Sequence, residues 1–427
     1  MKAIGIDIGT TSVCGVVIDT VSGAVISSKT IDSNAFIKTE NSFEKIQSPE
    51  KIITLAKSIL DELLTEDTAV IGVTGQMHGI VYYDESGIPV SPLYTWQDGR
   101  GDQPYKNTTY AGYLKSHTGY GNVTDFYNRE NGLVPENAKG YCTIHDLFVM
   151  QLCGLKAAKV HISDAASFGM FDINTKTFSY PANIDVYEEY AVAGCYKNIP
   201  VSLAIGDNQA SVFSSLSSED DLLINVGTGS QVSAIIDKPI TAQDLETRPF
   251  FDGKYLAVGA ALCGGRAYAV LKDFYKTILS YNASIDSEDV YEIMGKMLSG
   301  VKEKSLVADT RFSGTRADES IRGSICGITT ENFTPENLTY AVLEGMINEL
   351  YQMYLQMGYK KSGIVGSGNG IRKNKHLIKI AEDRFNGKLK IPSHTEEAAY
   401  GAALYGLVSA GIFKTSSDVR KLINFKE

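Results

Sequence analysis

The strongest constraint on the fold is a repeat. Near its start the chain reads IGIDIGTTSV (residues 4–13), and in its middle LINVGTGSQV (residues 223–232). With Ile6 laid on Ile224, Asp7 falls on Asn225, Ile8 on Val226, Gly9 on Gly227, Thr10 on Thr228 and Ser12 on Ser230. The shift is 218 residues in a chain of 427, so the second copy opens where a second half would open. At the usual ~100–200 residues per domain the length allows two or three domains. The repeat selects two α/β domains of similar plan, 1–217 and 218–427, each opening with a Gly-Thr hairpin. A ligand site in a cleft between them is the expectation.

Local signals fill in the plan. Residues 3–8, 12–19 and 24–31 read as a β-meander around the turns at Gly9 and Gly23. SPEKIITLAKSILDELL (48–64) carries a Ser N-cap, Pro at the first helical position and apolar residues at helical spacing. AVIGVTG (69–75) follows as a short buried strand. PVSLAIGDNQASVFSSL reads as strand, tight Gly-Asp turn and helix, and SSLSSEDD (214–221) as the linker between halves. Near the end, SGIVGSGNGIRKNKHLIKIAEDRF reads as strand, Gly-rich turn and helix. TEEAAYGAALYGLVSAG closes the plan as a helix whose small face (Ala398, Gly401, Ala402) invites close packing.

Charge and cysteine usage narrow the function classes. A net charge of -10 without a long Lys/Arg run argues against a nucleic-acid partner, which requires a basic face. A local phosphate ligand stays compatible, since backbone N–H groups and a metal can hold one. The six cysteines are scattered, and Cys142 with His145 lacks the second ligand pair of a zinc site. Scattered thiols fit a reducing, cytoplasmic setting, and no apolar run approaches the ~18 residues of a membrane span.

The two hairpins carry the chemistry. Gly9 and Gly227 let the backbone approach a ligand, while Thr10, Thr11, Ser12, Thr228 and Gly229 supply donors in a tight turn, which suits phosphate oxygens. One such turn is ordinary; two at matched positions are not. Asp7 places a carboxylate beside the first turn, where a nucleotide's Mg²⁺ can be held, mostly through water; the second copy has Asn225 there. A P-loop is absent, and GSGNG (366–370) lacks dinucleotide-fingerprint spacing. Asp207 follows an apolar strand and opens a helix, which fits either a catalytic carboxylate or an N-cap.

Eight motifs in order, DIGTTS, TGQMHG, TWQDGR, GDNQAS, NVGTGSQ, FSGTRADESIRGSICG, GSGNG and EEAAYGAALYG, resemble those of the FGGY carbohydrate kinases over nearly the whole chain. The resemblance implies a duplicated ribonuclease H-like, actin-like ATPase fold and phosphorylation of a sugar by ATP with Mg²⁺. TGQMHG with W-x-D-G-R resembles both the D-xylulose and the sedoheptulose branches of the ketose kinases, whereas TWQDGR, RPFFDGKYLAVGAALCGG and RADESIRGSICGI are more similar to the sedoheptulose branch. A non-catalytic actin-like sensor of sugar or nucleotide is the rival from another class.

Carried onto this chain, the resemblance makes Asp207 the catalytic base and Asp7 the metal residue. Gln76, Met77, His78, Trp96, Asp98, Arg100 and Asn208 become sugar contacts. Asp98 and Arg100 have a second reading, in which they pair with each other. Thr10, Thr11, Ser12, Gly227, Thr228 and Gly229 become phosphate contacts, and Gly366, Gly368 and Asn369 adenosine contacts. Gly264 and Gly265 line the nucleotide pocket or serve as packing glycines. Many relatives have a glycine where this chain has Asn369. The implied partners are a small ketose and MgATP, with no nucleic acid and no membrane; a homodimer is left open. The sugar belongs to the first domain and the nucleotide to the second.

Overall fold

The computed structural model describes residues 1–281, 290–301, 303–315, 318 and 320–426. Two compact units emerge. The first holds Met1–Ser217, Arg248–Lys254 and His394–Asn424; the second holds Ser218–Thr247, Tyr255–Ser393 and Phe425–Glu427. Segments 248–254 and 394–424, placed by linear order in the second half, thus join the first.

In the first unit, β1 (Lys2–Ile8), β2 (Ser12–Asp19) and β3 (Val25–Asp32) make the expected antiparallel meander. The helix Pro49–Leu63 follows, with the Ser48 side chain accepting from the Lys51 N–H and Pro49 in the first turn, where its missing N–H is not needed. Its buried positions, Ile52, Ala56, Ile59, Leu60 and Leu63, keep helical spacing. The chain then returns as β4 (Thr68–Gly75), parallel to β1. β5 (Val192–Tyr196) and β6 (Ile199–Gly206) complete a sheet of order β5-β6-β4-β1-β2-β3, with β6 parallel to β4.

The helix Glu397–Ser409 lies on this sheet because glycine clears its path. Gly5 and Gly72 are register partners on β1 and β4. A Cβ on Gly5 would overlap the Ala399 carbonyl, one on Gly72 the Ala402 carbonyl, and one on Gly401 the Ala210 carbonyl. Side chains on these glycines would hold the backbones apart. The small face read from the sequence is therefore real, centred on Ala399, Gly401 and Ala402 rather than Ala398.

The second unit repeats the plan. β7 (Asp221–Val226), β8 (Ser230–Ile236) and β10 (Tyr255–Ala261) run antiparallel, as β1, β2 and β3 do. β11 (Gly363–Ser367) and β12 (Leu389–Lys390) continue parallel beyond β7, in the places of β4 and β6, and β9 (Leu245–Pro249) forms the far edge. Leu222, Ile224 and Val226 alternate into a core shared with Ala267, Leu271, Leu343 and Ile347.

Three details depart from expectation. The stretch 214–221 is hardly a linker, because Ser214 and Ser215 are buried in the helix Asp207–Ser215 and Asp221 already starts β7. The helix expected after GSGNG breaks at Asn374, whose side chain caps a second helix by accepting the His376 and Leu377 N–H groups. Arg316, Ala317 and Glu319 of the FSGTRADESIRGSICG motif lie outside the described residues. Among the described residues no helix is long and apolar enough to cross a membrane.

Candidate active site

The parallel strands of the first unit end level with one another: Ile8 pairs with Gly75, and Gly75 with Gly206. Residues just past these ends share one edge, the place where open α/β sheets bind ligands. Asp7 is there at the end of β1, Gln76 to His78 after β4, and Asp207 with Asn208 after β6.

Asp207 is the first residue of its helix, following Gly206 as N-cap. Burial raises its pKa; His145, the Asn208 backbone N–H and Arg248 pull it back down. The N-cap reading fails, since the cap is Gly206. Asp7 is pushed from 3.8 to about 7, first by burial and then by the negative charges of Asp207 and Glu396. Its Oδ1 is inaccessible and has no hydrogen-bond partner. A carboxylate crowded by two others, with an orphaned buried oxygen, is the donor chemistry that suits a hard divalent cation.

Hydrogen bonds tie the first Gly-Thr turn to the TGQMHG and TWQDGR motifs. The Thr10 hydroxyl donates to Gln76 Oε1 at 3.3 Å and accepts from Trp96 Nε1 at 3.0 Å. Gln47, which sequence reasoning missed, donates to the Thr10 carbonyl at 2.6 Å and accepts from Gln76 Nε2 at 3.0 Å. Gln76, 3 % exposed, is thereby a brace rather than a free contact. Trp96 keeps 47 % of its surface exposed while its N–H is anchored, so an indole face is held out towards solvent. The Thr11 carbonyl accepts from the Ser33 N–H at 2.8 Å, and Ser12 already belongs to β2.

His78 adopts φ 71°, a left-handed conformation that costs a non-glycine residue energy and therefore marks a constrained site. Ser167 fixes it: its hydroxyl accepts the His78 N–H at 3.1 Å, and its carbonyl lies 2.8 Å from Nδ1. The ring stacks on Tyr120 at 4.4 Å. Met77 is buried, and its sulfur and methyl pack over Gly206, directly before Asp207.

Asp98 and Arg100 pair with each other, the second of their two readings. Arg100 Nη1 donates to Asp98 Oδ2 at 2.7 Å, and the same carboxylate accepts the Lys45 and Arg100 backbone N–H groups. Asp98 is fully buried, and Arg100 is 4 % exposed, bonding Glu44 as well. Their charges are spent on fixing the loop that carries Trp96.

In the second unit the Gly-rich segments converge. The turn Gly227–Gly229 is closed by the Gly227 N–H donating to the Gly229 carbonyl at 2.9 Å, leaving Thr228 and Gly229 exposed. The Gly265 and Arg266 N–H groups donate to the Gly227 and Thr228 carbonyls at 3.1 and 3.0 Å. A Cβ on Gly264 would overlap Ser230 and Gly229, so this pair braces the turn, as packing glycines do. Gly368, at φ +81, and Gly370 lie against Val226, and Asn369 is exposed beside them. Gly366 corrects the expectation: it is buried against Leu389 and Ile371 and faces the core.

The two turns also differ. Ile8 pairs with Val13 across the first, Val226 with Ser230 across the second, so the second turn is one residue shorter. Asn225, opposite Asp7 in the repeat, donates to Ser367 Oγ at 2.7 Å.

Family profiles decide the relationship. The N-terminal domain of the FGGY carbohydrate kinases matches residues 2–183 and the C-terminal domain residues 222–410. The chain belongs to the FGGY family of carbohydrate kinases. It is similar to a sedoheptulokinase of Mus musculus, 28% identical over 94% of this chain and 96% of the relative. A xylulose kinase of Staphylococcus epidermidis (strain RP62A) is 25% identical over 96% of this chain and 88% of its own. Among solved structures, xylulose kinase from Rhodospirillum rubrum superposes with TM-score 0.86 at 18% identity, covering 100% of this chain and 93% of that one. The fold is thus the duplicated ribonuclease H-like, actin-like plan, and the protein is an ATP-dependent sugar kinase.

Beyond Gln47, sequence reasoning missed two charged neighbours of the strand-tip carboxylates. Glu396 and Arg248 act on Asp7 and Asp207 through charge. Both stood inside quoted motifs, but nothing local marked either as a neighbour of the strand tips.

Proposed function

We propose that this kinase transfers the γ-phosphoryl group of MgATP to the terminal hydroxyl of a ketose, sedoheptulose in preference to D-xylulose. One observation carries the reading. Asp207, a desolvated carboxylate at a helix N-terminus, shares a strand-tip edge with Asp7 and the Trp96–Thr10–Gln76 brace. The sugar preference is supported by similarity to the mouse sedoheptulokinase.

The chain's own residues have defined tasks. The exposed face of Trp96 packs on the C–H side of the sugar, and His78, fixed in its strained conformation, meets its hydroxyls. Asp207 accepts the hydroxyl proton. Because the transition state is loose, the proton leaves late, and a carboxylate suffices as base. The helix behind Asp207 favours its ionised form. Asp7, supported by the charge of Glu396, is the residue to hold Mg²⁺. When bound, Mg²⁺ neutralises charge developing on the phosphate oxygens. In the second unit, Thr228 and Gly229 offer the turn to the phosphates, while Gly368 and Asn369 offer backbone to the adenosine.

The test is ADP release with MgATP across five- to seven-carbon ketoses. Turnover with sedoheptulose exceeding that with D-xylulose is expected. ATP turnover unaffected by every ketose would overturn the reading.

A further inference from the structure

Behind the strand tips lies a group of buried side chains that the reaction as described does not use. His145 follows the first residue of the helix Ile144–Leu152, Asp146 comes next to it, and Asp164 sits in the first turn of the helix Ile162–Ser167. His145 and Asp164 are fully buried, and Asp146 is 2 % exposed. His145 Nε2 lies 3.1 Å from Asp164 Oδ1. Both ring nitrogens of His145, both Asp164 oxygens and Asp146 Oδ1 lack a well-formed hydrogen bond, although buried polar groups are normally satisfied.

Two contacts aim this group at Asp207. His145 packs on the bare backbone of Gly75: a Cβ there would sit 2.8 Å from its Nδ1 and 2.7 Å from the Ile8 carbonyl. Gly75 is the register partner of both Ile8 and Gly206. Ser163, beside Asp164, accepts the Gly206 N–H at 3.0 Å. His145 therefore lies beneath the strand ends that present Asp7 and Asp207.

We propose that His145 is a positioning residue for the base, sharing one proton with Asp164 across their 3.1 Å contact and turning that proton towards or away from Asp207 as the base changes charge. While Asp207 is ionised, the proton rests on His145 Nε2, and the imidazolium offsets the carboxylate. When Asp207 takes the sugar's proton, the shared one moves back from Nε2 to Asp164 Oδ1, so the group passes from two carboxylates facing one imidazolium to three neutral side chains, and no imidazolium is left buried opposite a neutral base. Electrostatics agree in sign. Burial lowers the His145 pKa and raises that of Asp164, which removes the usual preference for the proton to sit on the imidazole, and the Asp207 charge raises both. Other charged or titratable groups facing these residues are Asp146, Arg248 and Tyr405, with Asp7 and Glu396 beyond Asp207.

The proposal rests on Asp207 being the base, so one arm of its test needs no sugar. His145→Gln keeps a neutral side chain that can hydrogen-bond, whereas His145→Lys restores a cation. For Gln, kcat should fall at least ~10-fold with both KM values nearly unchanged, and the acid limb of the kcat profile should move to higher pH. Lys should return the limb but recover only part of kcat, because a fixed cation offsets Asp207 without handing its proton back to Asp164. Wild-type kinetics in the Gln variant, or equal losses in Gln and Lys with an unmoved limb, would overturn the proposal.

Should neither variant fold, imidazole NMR of the wild type against Asp207→Asn decides. Neutralising residue 207 should lower the His145 protonation midpoint, and an unmoved midpoint would refute the coupling. This arm stands even if the ketose assignment is wrong. The three side chains also have metal-ligand types, their ligand atoms lying within 4.8 Å of one another. Loss of a tightly held divalent ion and of activity together on chelation, without recovery in Mg²⁺, would replace the shared proton by that ion.

Discussion

At the residue scale, the site is defined by how its carboxylates are neutralised. Asp207 has His145, Arg248 and a helix N-terminus; Asp7 has the like charges of Asp207 and Glu396 for company. Asp207→Ala should lower kcat by ~10²–10⁴-fold, the usual range for a general base, while ATP affinity measured by calorimetry stays within about twofold. Asp7 allows a pH experiment with a definite sign. Its folded pKa, about 7, lies above the ordinary 3.8, so between these values the folded chain holds a proton that the unfolded chain has lost. That contribution is full below pH 3.8 and is lost as pH rises through 7. In urea titrations without Mg²⁺, Asp7→Asn should therefore exceed wild type in stability at pH 8, by no more than ~4 kcal/mol, and the gap should close towards pH 5. Adding Mg²⁺ should stabilise the wild type and leave the variant unmoved. A gap independent of pH would remove Asp7 from the charge-crowded role.

At the element scale, glycines decide which backbones touch. Gly72 faces the Ala402 carbonyl, a backbone group that cannot swing aside as a side-chain tip can. Gly72→Ala should destabilise the protein by ~3 kcal/mol or more, read as a lower urea midpoint. Gly295 is the control. It sits inside the helix Val290–Ser299, and a Cβ there meets nothing within 4 Å. Gly295→Ala should stabilise by ~0.5–1 kcal/mol, because it removes unfolded-state freedom at no steric cost. If both changes had the same effect, the close-packing account of the first sheet would be wrong. The same contrast shows what a sequence can display. Caps, periodicity and the Ser48-Pro49 helix start are local, and the helix begins at Pro49 as read from the sequence and ends at Leu63, one residue before the end of the stretch. Whether a glycine faces ligand, helix or core is not local. Gly366 and Gly368 look alike in GSGNG, yet the first is packed on Leu389 and the second on Val226 beside the exposed Asn369. Asp98 and Arg100 were ambiguous for the same reason, since their pairing depends on Lys45 and Glu44, more than fifty positions away.

At the scale of the whole molecule, the chain is one plan written twice, with only the Gly-Thr hairpins still spelling it. A core needs apolar residues of suitable volume at the right period, so most of each sheet was free to diverge. The two turns share the glycines and small donors with which a backbone can meet a ligand. Linear order hid one thing: Arg248–Lys254 and His394–Asn424 belong with the first unit, and the small face of Glu397–Ser409 marked that helix for close packing without saying against which sheet. The copies also part company chemically, at Asp7 against Asn225 and by one residue of turn length. Asn225 spends its amide on Ser367, next to the Gly-rich turn, and so holds two glycine segments in register without bringing charge. Asn225→Asp would trade that donor for an acceptor and set a carboxylate beside the exposed Thr228-Gly229 turn. If that turn meets phosphates, the KM for ATP should rise ~10-fold or more, with the KM for the ketose little changed. Were the ketose KM to rise instead, the division of labour between the two hairpins would have to be exchanged.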